Sequence, residues 1–209
     1  MPEKRFMKRI YKPRDFYRLL SDLMSSAGAS RGLPGEDRIS KQFMERIMLA
    51  VTEVNGCRYC SYFHTQVSLK AGLKKEEISR ALEGDFKNAP QEELATLYFA
   101  QHYAESAGKP NPEAVRCLFD AYGDKRSGAL LAYIRAIMVG NAWGNMFDAL
   151  RFRISGRPTV EFTFWDELGV IFGPVVLIPV LVIKKLFLFL FSCKDKNSTK
   201  TAIEAIEDI

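Results

Sequence analysis

The sequence predicts an all-α protein. Apolar residues recur at spacings of three and four along most of its 209 residues, Ala, Leu, Met, Glu and Lys dominate long stretches, and no convincing alternation with a period of two occurs. With 47% hydrophobic and 26% charged residues, the chain is long enough for one well-buried core and short for two. Residues 1–165 read as one domain of helical hairpins, and 166–209 as an apolar C-terminal helical segment ending in a polar tail.

A first short helical pattern runs from Phe16 to Ser26 and ends in a Gly- and Ser-containing stretch to Gly35. From Glu36 the pattern resumes: Ile39, Phe43, Ile47, Ala50, Val51 and Val54 lie on one stripe, and Asn55-Gly56 is a helix stop. After a sharp turn, a helix is expected from Cys57 to about Ala71, ended by Gly72. Lys74 to Leu82 form a short helix with Glu76 and Glu77 in its first turns. Gln91 to Ser106 form the next, carrying Leu94, Leu97, Tyr98 and His102, the last read as a core histidine. Beyond the turn at Gly108 to Pro112, Pro112 suits the first turn of a helix reaching Tyr122. A long helix from Ser127 to Arg153 then carries Ala132, Ala136, Val139 and Gly140, small enough for close packing.

The composition changes at Leu168. From there to Phe191 the only charged residues are Lys184 and Lys185. As a helix the segment is about 36 Å long, against a hydrocarbon core of roughly 30 Å. Each lysine costs roughly 2.5–3.5 kcal/mol at mid-bilayer, and the apolar residues preceding them are slightly too few to cross alone. Three readings stay open: a membrane anchor or interfacial hairpin, a buried oligomer-interface arm, and a core helix.

The net charge of +5 is uneven, with Lys4, Arg5, Lys8, Arg9, Lys12 and Arg14 crowded at the start. That arm reads as solvated, with anionic lipid as the alternative partner; no aromatic stacking platform or helix-turn-helix pattern accompanies it, so no nucleic-acid role is assigned. No secretory signal is visible, and a cytosolic location is expected. In a reducing compartment a close cysteine pair is more often catalytic or metal-binding than a staple. Cys117 and Cys193 stand alone and read as small apolar residues.

The chemistry concentrates around Cys57, Cys60 and His64. Spacings of three and four put both sulfurs and the imidazole on one helix face. Free amide groups at the helix start favour thiolate over thiol, and Arg58 adds nearby positive charge. His64 is one turn beyond Cys60 and two beyond Cys57, so it exchanges a proton with Cys60 more readily; that ordering makes Cys60 the attacker and Cys57 the resolving thiol. Glu45, on a face with Met48, Leu49 and Thr52, is the candidate acid partner, its pKa raised by burial; the alternative is an ordinary surface carboxylate. Glu53 reads as solvated. Zinc is the rival occupant of the pair, although this run supplies only three ligands and needs His102 or Glu45 to complete a site; no metal is assigned.

The run Glu45, Asn55-Gly56, Cys57, Cys60 and His64 resembles the AhpD-like (alkylhydroperoxidase) branch of the carboxymuconolactone decarboxylase family. The close match covers Gln42 to Leu82, and a softer likeness extends through Val139 to Asp148. The resemblance implies an oligomeric all-α fold and a thiol-dependent peroxidase. It implies no cofactor beyond the redox-active Cys57–Cys60 disulfide, a hydroperoxide substrate and a thiol or dithiol protein as reductant. Carried over, Cys60 attacks the peroxide, Cys57 resolves the sulfenic acid, and Glu45 and His64 relay protons. Tyr59 stands where the best-known relatives have a second histidine, and a phenol relays protons poorly at neutral pH. A disulfide reductase, or a membrane-associated redox sensor with little turnover, is therefore the alternative function. Asn141, Trp143 and Asn145 are candidates for the pocket wall, with Tyr59 beside them; packing around a buried tryptophan is the alternative reading for that stretch.

Overall fold

In a computed structural model the described residues, which are 8–26, 28, 29, 35, 38–157 and 162–207, are mostly helical, side chains being described only as far as Leu188 and not for Lys185. Lys4, Arg5 and the Cys193 side chain lie outside them. No strand occurs among these residues. The helices are α1 (Pro13–Ser25), α2 (Lys41–Asn55), α3 (Arg58–Lys70), α4 (Lys75–Ala81), α5 (Leu94–Glu105), α6 (Pro112–Ile154) and α7 (Phe164–Glu207). A 3-10 turn, Gln91–Glu93, precedes α5.

The chain forms two compact units, 1–171 and 172–209. The first is organised around α2. Ser40 starts this helix by accepting a hydrogen bond from Phe43 N at 3.0 Å, and Gly56 ends it in the left-handed region at φ 67°. Between those caps Ile47, Leu49, Ala50 and Val51 are completely buried, and α2 packs against α3, α5 and α6. Ile47, Leu49 and Val51 each contribute roughly 1.5–3 kcal/mol by leaving water. Arg46, also buried, holds α4 through Glu77 (2.6 Å) and the 3-10 turn through Glu93 (2.8 Å).

The helices expected at Pro112 to Tyr122 and Ser127 to Arg153 are both present: α6 is two helices that meet at a kink, where Gly123 leaves helical geometry (φ 70°, ψ 168°). One expectation needs amendment. His102 is half-buried in the last turn of α5 instead of lying in the core, and its Nε2 accepts from Asn111 N at 3.1 Å, closing the turn into α6.

The first two turns of α7 belong to the first unit. Glu167 is fully buried and pairs with Arg153 at 2.8 Å, Val170 is buried, and Gly169 lies so close to Pro13 that an added Cβ would sit 3.2 Å from its Cγ. The second unit is helix from Phe172 to Glu207, with Pro174 and Pro179 inside it and Phe172, Val175, Val176, Val180 and Ile183 exposed. The stretch Phe164–Leu188 is long and apolar enough to cross a membrane.

Candidate active site

The end of α2 and the start of α3 meet at a turn held from two sides. Asn55 O accepts from Asn145 Nδ2 of α6 (2.7 Å) and from Arg9 N (3.3 Å), while the same Asn145 nitrogen donates to Arg9 O at 2.8 Å. The Asn55 amide is buried, donating to Met138 Sδ at 3.2 Å and accepting from Tyr11 OH at 3.4 Å. One asparagine on α6 therefore ties the N-terminal segment to the residue that precedes Gly56-Cys57.

Cys57 is the N-cap of α3, one position before the helix expected to begin with it. Its Sγ accepts from Cys60 N at 3.3 Å, taking the place of the oxygen that usually satisfies a first-turn amide. Cys57 is fully buried, whereas Cys60 is half-exposed, and both are free thiols. The Cys60 S–H donates to Cys57; this bond, aided by the amides of Tyr59 and Cys60 and the Lys8 ammonium, pulls the Cys57 thiol down to about 7 against desolvation. The same hydrogen bond, with burial, holds the Cys60 thiol far up. The two thiols are coupled and titrate as one system.

Absorbance of the reduced protein at 240 nm should thus rise as pH increases through about 7, with one thiolate formed per chain. Cys60→Ala removes the donor and should move that midpoint up toward the ordinary thiol value. A midpoint unchanged in Cys60→Ala would mean that the S–H does not stabilise the charge.

His64 and Glu45 are joined: Nδ1 lies 2.8 Å from Glu45 Oε2. Glu45 is 3% exposed on α2 and His64 looks out from α3, so the ion-pairing carboxylate is inside and the imidazole is at the rim. An ionised carboxylate requires the proton on Nδ1, which leaves Nε2 free as a base one turn beyond Cys60. Glu45→Gln keeps a hydrogen-bonding side chain and removes the carboxylate that orients the imidazole. A fall of about 100-fold in turnover with little loss of thermal stability is expected, measured by peroxide consumption beside a melting curve.

Arg58 does not serve the sulfurs as expected. Its guanidinium pairs with the buried Asp148 carboxylate of α6 and donates to Tyr59 OH at 3.0 Å. Tyr59 OH in turn donates to Asp148 Oδ1 at 2.9 Å, and Lys8 reaches Asp148 Oδ2. The phenol is committed to this cluster, and the cation whose field reaches Cys57 is Lys8.

A cleft of about 680 Å³ opens over Cys60. Met48, Phe63, Ile137, Trp143 and Phe147 form much of its wall, with His64 and Tyr59 beside the sulfur. Trp143 is 42% exposed, stacks edge-on against Phe147 at 5.0 Å and donates from Nε1 to Ile171 O at 3.0 Å. It lines the cleft and is not a buried packing residue. Asn141 does not reach the cleft: it faces inward on α6, completely buried, and accepts from Thr52 Oγ1 at 3.2 Å.

Sequence reasoning passed over Gly144, Asp148 and Lys8 as site residues. A Cβ at Gly144 would stand 2.7 Å from Cys57 Sγ and 3.8 Å from Cys60 Sγ, so this glycine is what lets α6 lie against the dithiol. Its signal was the small-residue spacing Gly140 and Gly144 beside Asn145. Among the described residues no cluster of three or more His, Cys, Asp or Glu side chains is arranged to hold a metal ion.

Fold and site together define an all-α protein with a dithiol and a carboxylate–histidine pair at the wall of an apolar cleft. The family model described as the carboxymuconolactone decarboxylase (CMD) family matches residues 14–85, which include Glu45, Cys57, Cys60 and His64. That family consists of enzymes, decarboxylases and peroxidases among them. No curated protein and no solved structure matches the chain.

Proposed function

We propose that the chain is a dithiol peroxidase of the AhpD-like kind, reducing hydroperoxides through a Cys57–Cys60 disulfide cycle. The observation that supports this reading is the different placement of the sulfurs: Cys60 is in the wall of a substrate-sized cleft, and Cys57 is buried with its sulfur accepting from the Cys60 amide. His64, held by Glu45, takes the Cys60 proton as the sulfur attacks the distal peroxide oxygen. The O–O bond breaks, the alkoxide leaves with the proton returned by the imidazolium, and Cys60 becomes a sulfenic acid. The Cys57 thiolate then displaces hydroxide from that sulfur, giving the disulfide, and the hydroxide takes a proton from solvent to leave as water. One hydroperoxide is reduced to an alcohol as two thiols are oxidised to one disulfide, and a thiol or dithiol protein restores them.

The buried position of Cys57 weighs against a disulfide reductase that attacks through the first cysteine, as such an enzyme must expose that sulfur to a protein partner. Lyase chemistry has no evident use for the dithiol. Steady-state consumption of tert-butyl hydroperoxide, with dithiothreitol as reductant, tests the reading: turnover well above the uncatalysed rate is expected. A background rate from reduced, folded protein overturns it.

A further inference from the structure

We infer that the cleft takes acyl-chain hydroperoxides directly from a lipid bilayer into which the apolar part of α7 inserts; this rests on the peroxidase reading and names its substrate class. Two sets of observations converge. The first is the cleft. At about 680 Å³ it has the size of a site for a large organic ligand, far beyond hydrogen peroxide, which is comparable to a water molecule's share of roughly 30 Å³. Among the described lining residues no lysine, arginine or carboxylate occurs, and His64 and the Tyr59 phenol lie at the sulfur end. A ligand is therefore received mainly by its apolar body.

The second is α7. Residues 172–191 are apolar apart from Lys184 and Lys185 and extend about 30 Å as a helix, the thickness of a hydrocarbon core. Phe172, Val175, Val176 and Ile183 are each more than 60% exposed, a surface that water penalises and acyl chains do not. Long lysine side chains reach a headgroup layer from within the apolar zone. Phe164 and Trp165, exposed two turns before this run, are the residue types that settle at a membrane interface.

One contact joins the two sets. Trp143, in the cleft wall, is hydrogen-bonded to the carbonyl of Ile171, and the exposed apolar run starts at the next residue. The chain thus leaves for the bilayer one residue beyond the point where it is fastened to the cleft wall. The chemistry is that of the proposed cycle: the lipid hydroperoxide becomes a lipid alcohol and water as Cys57 and Cys60 form their disulfide, and a dithiol reductant returns them.

The test uses the full chain with phosphatidylcholine hydroperoxide in phosphatidylcholine vesicles, and tert-butyl hydroperoxide in solution as the second substrate. Flotation with the vesicles and a kcat/KM at least ten-fold higher for the vesicular substrate are expected. Gly140→Leu, which directs a side chain into open space in the cleft, should lower the ratio of the two at least ten-fold. Turnover of tert-butyl hydroperoxide with none of the vesicular lipid overturns the inference and leaves the peroxidase reading standing. Self-association in place of flotation also overturns it, since the apolar run is then an oligomer interface. Inactivity toward both substrates removes the peroxidase reading and the inference with it.

Discussion

Cys60→Ser brings hydroperoxide turnover down to the uncatalysed rate, while Cys57→Ser leaves a single oxidising event that stops at a sulfenic acid on Cys60. The two variants differ because the sulfurs have different surroundings. Cys60 faces the cleft and carries the proton that His64 can take; Cys57 is completely buried and cannot meet a peroxide without the turn opening. Its lowered pKa suits the second step, in which a thiolate must form the disulfide as soon as the sulfenic acid appears. Trapping with a dimedone reagent and mass spectrometry of the modified peptide reads the result. A label on Cys57 in the Cys60→Ser protein would reverse the assignment of attacker and resolver.

Gly144→Ala is expected to damage the site from outside the motif. The new methyl group would stand 2.7 Å from Cys57 Sγ, well inside van der Waals contact, and the sulfur cannot retreat without giving up its hydrogen bond from Cys60 N. Overpacking of this kind costs about 1–3 kcal/mol, which for a chain of this size lowers the melting temperature by roughly 2–12 °C. Turnover should fall at least ten-fold, and the thiolate midpoint should rise as the cap is lost. Gly128→Ala supplies the contrast on the same helix. An added Cβ there has Ala29 Cβ at 3.9 Å as its nearest neighbour, an ordinary contact, so a gain of about 0.5–1 kcal/mol is expected with no effect on the thiols. Equal behaviour of the two variants would mean that α6 yields freely around the dithiol.

Much of this site is legible in sequence because local spacing decides it. The stop at Asn55-Gly56 depends on one glycine adopting positive φ, and the three- and four-residue intervals from Cys57 through Cys60 to His64 need only a helix to place them together. Glu45 is legible through its apolar neighbours on α2, and burial beside His64 is what that pattern implies. What spacing could not convey is how distant segments meet. Asp148 collects Lys8, Arg58 and Tyr59 from segments far apart in the chain, and this diverts Arg58 from the sulfurs. Asn141 and Trp143 are two residues apart on one helix, and that offset sends the first into the core and the second to the cleft. His102 was misplaced for a similar reason, its apolar helix neighbours concealing a role in the turn to Asn111.

The most direct measurement is a single-turnover titration of reduced full-length protein with one equivalent of tert-butyl hydroperoxide. One alcohol formed, two thiols lost per chain and a Cys57–Cys60 disulfide in the peptide map are the results that the dithiol cycle predicts. Alcohol production without loss of those two thiols, or intact hydroperoxide beside an unchanged dithiol, would contradict it.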